Sequence, residues 1–174
     1  VAKATVLVGG EAGSLGGKLA PLDDHRPPPP VRLLTDERGA FAADDVPAGQ
    51  VPVAVRATGW SPWSGVVAVE VGKTTDVPIA LQPSASVTGV VRDDAGEPMV
   101  DVHVAVQSRT LMGLQYDFTD SEGRFTLSDL PLGESELIAH RDGSGRATTV
   151  LGAEAGGRYV WDPVLGTGLL IRRR

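Results

Sequence analysis

The 174-residue chain has no cysteine, so neither a disulfide framework nor a thiolate metal site is open to it. Asparagine is missing too, which removes the glycosylation sequon. Aromatic residues make up only 5% of the chain, and no apolar run approaches the ~18 residues that a membrane-spanning helix needs. Lysine and arginine number 16 against 22 acidic residues, a formal net charge of -6. That balance argues against nucleic acid, which requires a basic face. No charged-then-apolar leader with a small-residue cleavage site stands at the N-terminus. The end segments, VAKATVLV and GTGLLIRRR, read as strands that begin or continue something larger. What the chain does have is turn chemistry, with 22 Gly and 13 Pro, and enough apolar content at 41% for one or two small cores. Arg outnumbers Lys, and Ala, Gly and Val abound, a composition typical of GC-rich bacterial genes.

An internal repeat organises these residues. TDERGAFAADDVPAG (35–49) lies over TDSEGRFTLSDLPLG (119–133) at an offset of 84 residues, held without a gap to Leu81 and Leu165. Shared along the way are Asp36/Asp120, Gly39/Gly123, Phe41/Phe125, Pro47/Pro131 and Gly49/Gly133. Two copies of one domain follow, residues 1–82 and 83–165, with a polar boundary at QPSAS. Residues 166–174 read as the truncated start of a third copy, and the first eight residues as the weaker opening of copy one.

Within copy two, period-two alternation marks strands at 87–92, 102–107, 114–119, 124–127, 136–141, 148–152 and 159–165. Seven short strands separated by Gly, Pro and Asp turns, without a helical period, predict an all-β chain of two tandem seven-stranded β-sandwiches. The shared residues suit such a frame. In T-D-x-x-G-x-F, Asp36 and Asp120 open a type I turn, Gly39 and Gly123 supply its left-handed residue, and Phe41 and Phe125 point into the core. Pro47 and Pro131 preset a second turn that Gly49 and Gly133 close.

The order SVTGVVRDDAGEPMVDVHV, TDSEGRF, LPLGE in copy two resembles the carboxypeptidase regulatory-like domain, a family with a transthyretin-like β-sandwich fold. Copy one is similar from Leu34 to Leu81, while its opening VLVGGEAGSLGG departs from the pattern. The resemblance implies tandem, non-catalytic modules of secreted or surface proteins, hence an extracellular or cell-envelope location. It implies a protein or glycan partner at the cell surface, adjacent repeats of the same chain as neighbours, and no cofactor. Related collagen-adhesin domains form Lys–Asn or Lys–Asp isopeptide bonds. Without Asn the first is impossible here, and only Lys3, Lys18 and Lys73 of copy one leave the second open.

Individual motifs add little chemistry. Val6 to Leu19 imitates a phosphate-binding loop, but Ala12 replaces the first Gly and Leu19 the Ser or Thr. HRPPPP (25–30) reads as a stiff surface loop, with recognition by a polyproline-binding groove as the alternative. His25, His103 and His140 lack metal-ligand spacing and read as surface or half-buried side chains. Asp93, Asp94 and Glu97 lack the D-x-D-x-D-G order of a calcium loop, so turn capping is the simpler role. No shared nucleophile constellation is present. The candidate binding residues are Trp60 and Trp63 of GWSPWSG, which stack on a sugar or an apolar partner or else cover the end of the sandwich. An accessory domain of a larger hydrolase is a further alternative.

Overall fold

Alternating valines with Gly and Asp between them leave the backbone little choice but short strands joined by tight turns. The computed structural model describes residues 1–9, 29–108 and 115–166. Among them every regular element is a β-strand and no helix occurs. The chain is all-β, with two sheet regions consistent with two β-sandwich-like domains, and it divides into two compact units, the first Val1–Pro83 and the second starting at Ser84.

In the first unit, β1 (Thr5–Val8), β2 (Val31–Leu34), β3 (Gly49–Arg56) and β4 (Trp63–Val69) form one antiparallel sheet ordered β2-β1-β3-β4. The second unit contains β5 (Ala85–Val90), β6 (Arg92–Asp93), β7 (His103–Gln107), β8 (Gln115–Phe118) and β9 (Arg124–Leu130). It continues with β10 (Gly133–Arg141), β11 (Gly145–Ala153), β12 (Arg158–Val160) and β13 (Val164–Leu165). One sheet is ordered β11-β10-β7-β8, another β12-β5-β9, and β13 pairs with β6. Ala85 and Val87 of β5, Val104 and Val106 of β7, Phe125, Leu127 and Leu130 of β9, and Leu137 and Ala139 of β10 join in one buried cluster. All but Leu130 come from alternate positions of their strands, which is how a pleated sheet delivers one face to a core, and Leu130 lies beyond the register shift that β9 makes against Ala85 and Val87.

The register corrects the reading of the first eight residues. Thr5 lies opposite Arg56 and Leu34, whereas His103 lies opposite His140 and Phe118. β1 is therefore the counterpart of β7 at an offset of 98 residues, while β2, β3 and β4 keep the offset of 84. VAKATVLV corresponds to MVDVHVAV (99–106), not to the opening SVTGVVRD. Alternating valines look alike in every strand, so the sequence could not tell which one this was. A buried hydroxyl identifies it. Thr35 Oγ1 accepts the Ala4 N–H and donates to the Val1 carbonyl, both at 2.8 Å. Thr119 Oγ1 accepts the Val102 N–H at 2.9 Å and donates to the Met99 carbonyl at 2.6 Å. Lys3 and Asp101 even share the left-handed backbone, with φ of 57° and 56°.

A consequence follows for strand number. The second unit has seven strands of three residues or more, plus the short β6 and β13. The first has four among the described residues, with no strand in the place of β5. Residues 40–46, the counterparts of β9, lack a ladder partner there and are not a strand, because a strand is defined by what it pairs with.

Candidate binding surfaces

Three turns share one construction, set by the spacing D-x-x-G. Oδ1 of Asp36 accepts the N–H groups of Arg38 and Ala40, that of Asp93 those of Ala95 and Glu97, and that of Asp120 those of Glu122 and Arg124. In each, the glycine N–H returns to the aspartate carbonyl, and Gly39, Gly96 and Gly123 take φ of 82°, 86° and 73°. The carboxylates are thus occupied by backbone donors. The N–H groups of Arg124 and Glu122 hold the Asp120 carboxyl below the ordinary aspartate range. Asp93, Asp94 and Glu97 do not gather around one point, and among the described residues no group of three metal-ligating side chains does.

Phe125 and Phe41 occupy corresponding inward positions, but Phe125 is 3% exposed whereas Phe41 is half-buried. Gly49 and Gly133 open β3 and β10 with positive φ, and Pro47 and Pro131 precede them in the connections from left-handed Asp45 and Asp129. The phosphate-loop lookalike beyond Gly9, Lys18, His25 and the third-copy segment beyond Gly166 lie outside the described residues. Lys73 pairs with exposed Glu70, and no aspartate is in that pair.

The tryptophan loop sits at the junction of β3 and β4. Trp63 opens β4 opposite Val55 and packs against the buried cluster of Val6, Val53 and Val55. Its indole folds back over Gly65, where a Cβ would stand 2.7 Å from the ring. Trp60 is half-buried, its N–H bonded to the Ala57 carbonyl and its backbone bridged to Pro83. No ring-to-ring contact joins Trp60 and Trp63.

The second unit carries an aromatic group that sequence reading passed over. Tyr116 and Phe118 of β8 stand 58% and 52% exposed, and His103 of β7 lies between them. Ring centroids are 5.3 Å apart for His103–Tyr116, 5.2 Å for His103–Phe118 and 5.9 Å for Tyr116–Phe118. His140 lies opposite His103 on β10 and so shares the same face. β8 is inverted relative to ordinary strand patterning, with aromatics outward and polar side chains inward. The inward ones have work to do: Asp117 Oδ2 accepts the Thr126 N–H at 2.8 Å, and Gln115 donates to the Asp129 carbonyl, tying β8 to β9. The available signal was the spacing Gln115-Tyr116-Asp117-Phe118 read against the inward phase of Val104 and Val106. In the first unit the corresponding face bears Thr5, Arg32, Leu34 and Arg56. Exposed rings gathered on one face, with Tyr116 and Phe118 edge-to-face, suit contact with apolar side chains or a sugar.

Comparison with known proteins places part of this chain. No curated protein matches it. Among solved structures it is similar to the dioxygenase domain of a dioxygenase carbohydrate-binding protein fusion from Streptomyces sp. SirexAA-E, with 20% identity over 49% of this chain and 80% of that one, TM-score 0.39. The minor pilin GBS52 of Streptococcus agalactiae is similar at 12% identity over 100% of this chain and 87% of that one, TM-score 0.46. The TIE protein of Bacillus anthracis is similar at 13% identity over 96% of this chain, TM-score 0.41, and the chain spans 31% of its length. The chain also spans 60% of a chlorocatechol 1,2-dioxygenase from Rhodococcus opacus. Residues 86–165, which hold the D-x-x-G turns of Asp93 and Asp120, the buried Thr119 hydroxyl with its two backbone partners (the threonine latch) and the aromatic face, match the model of the carboxypeptidase regulatory-like domain family.

Proposed function

We propose that the chain is a non-catalytic structural and interaction segment of a bacterial extracellular or cell-envelope protein. Its units space their neighbours and present surface side chains to a protein or glycan partner. One observation carries this reading. What the units have in common is frame apparatus, namely the threonine latch, the D-x-x-G turns and the sheet order, while their exposed faces differ. A duplicated enzyme would instead keep reactive side chains in at least one copy.

The aromatic face of His103, Tyr116 and Phe118 is the favoured contact surface, since burying exposed rings is favourable and costs little side-chain entropy. The rival reading uses Trp60 and Trp63 as a carbohydrate site, or the whole segment as an accessory domain of a larger hydrolase. Trp63 packed on the core supports a structural role for that tryptophan. A glycan and surface-protein array probed with the chain, with His103→Ala/Tyr116→Ala/Phe118→Ala, and with Trp60→Ala/Trp63→Ala separates them. Binding lost in the folded triple variant alone supports the aromatic face. Loss in a folded double variant moves the site to the tryptophan loop. Retained binding in both removes both surfaces.

A further inference from the structure

Because the two units share a sheet order and register, their outward sheet faces can be compared position by position. Residues directly opposed on antiparallel strands lie on the same face. In the first unit Leu34, Thr5 and Arg56 form one outward row, and Arg32, Leu7 and Ala54 form the next. In the second unit the same places are held by Phe118, His103 and His140, then by Tyr116, Ala105 and Ile138. Leu34 is 64% exposed and Arg32 is exposed, as are Tyr116 and Phe118.

The chemistry of the two faces is opposite where the frame is the same. The outward positions of β1 to β4 carry Arg32 and Arg56 and no carboxylate. The matching positions of β7, β8, β10 and β11 carry the rings together with Glu134 and Glu136. Arg146, on the same face, stands 3.8 Å from Glu136, and His140 stands 3.7 Å from Asp142. Even at the left-handed position before the first inner strand, exposed Lys3 in one unit answers exposed Asp101 in the other. The face of an aromatic ring is negative, and a planar guanidinium stacks on it. Arginines beside an exposed leucine thus complement rings beside carboxylates.

We propose that the aromatic face of the second unit takes up the arginine face of the first unit of another copy of this chain. Arg32 and Arg56 stack on Tyr116 and Phe118, and Leu34 adds an apolar contact. This inference rests on the reading of His103, Tyr116 and Phe118 as a contact surface and names its partner. Each copy carries one face of each kind, so the contact is heterologous and joins copies head to tail.

Two variants of the full chain test the pairing. Arg32→Glu/Arg56→Gln alters only the arginine face, and Tyr116→Ala/Phe118→Ala only the aromatic face. Sedimentation velocity of the unaltered chain should show a mass that rises with concentration. Either variant should self-associate about tenfold more weakly, because the stacked guanidinium–ring contacts are lost. Mixed in equal amounts, the two variants should form a one-to-one complex, since each keeps the face that the other has lost. Thermal melts identify a variant that fails to fold, in which case Arg32→Glu alone or Tyr116→Ala alone takes its place. An unaltered chain that stays monomeric at all concentrations, an arginine-face variant that associates like wild type, or a mixture that stays monomeric would each overturn the proposal. Array binding lost in the folded His103→Ala/Tyr116→Ala/Phe118→Ala variant does not involve Arg32 or Arg56, so the contact surface can stand where this partner fails.

Discussion

At the scale of single residues, buried hydroxyls do more than the exposed carboxylates to fix this chain. Thr119 is 3% exposed and satisfies both a backbone N–H and a carbonyl. Thr119→Val keeps the shape but leaves both groups unpaired in the core, at an expected cost of about 1–3 kcal/mol, with Thr119→Ser recovering much of it. Denaturant titration of the three proteins checks this. Asp120 provides the acid-side test. Its folded-state carboxyl titrates below the ordinary range, so its contribution is complete above about pH 4 and is lost as pH falls through the lowered value. The melting difference between wild type and Asp120→Asn should therefore be present at neutral pH and shrink on acidification, and a difference that grew instead would contradict the capping role.

At the scale of elements, close approach decides which glycines are irreplaceable. A Cβ on Gly89 would strike the Trp161 carbonyl, breaking the β5–β12 pairing, whereas a Cβ on Gly152 meets nothing within 4 Å. Gly89→Ala should cost about 3 kcal/mol or more and Gly152→Ala little, as paired thermal melts will show. Gly123 combines a φ of +73° with a Cβ position 2.7 Å from the Val91 carbonyl, so Gly123→Ala should cost at least about 1 kcal/mol. The inverted strand β8 belongs at this scale too. Its outward rings cover no core, so the His103→Ala/Tyr116→Ala/Phe118→Ala variant should melt near wild type.

At the scale of the whole molecule, the two units repeat one frame with unequal burial. Among the described residues, the inward positions of 40–46 are half-buried where those of β9 are buried. Calorimetry should resolve two transitions. Thr35→Val should lower the earlier one and Thr119→Val the later one. Hydrogen exchange should rank amides of β1 to β4 below those of β5, β7, β9 and β10. A single transition that both variants shift equally would remove this assignment.

The all-β class and most strand positions of residues 86–165 could be read from the sequence because alternation and turn residues act over neighbours a few positions apart, although the single strand expected at 159–165 is the two short strands β12 and β13. The same locality exposes D-x-x-G, where an aspartate oxygen reaches N–H groups two and four residues on. Strand identity could not be read this way. Alternating valines fit any half-buried strand, and it is the register of β1 between β2 and β3, with Thr35 reaching Ala4 and Val1 across the fold, that shows VAKATVLV in the place of β7. The aromatic face was hidden for a similar reason: whether Tyr116 and Phe118 point in or out depends on β8 serving β9 through Asp117 and Gln115. The sequence by itself determined which segments are extended and where they turn. Only the tertiary structure decided which strand lies beside which, and therefore which side chains are buried, because pairing and burial join residues that are far apart along the chain.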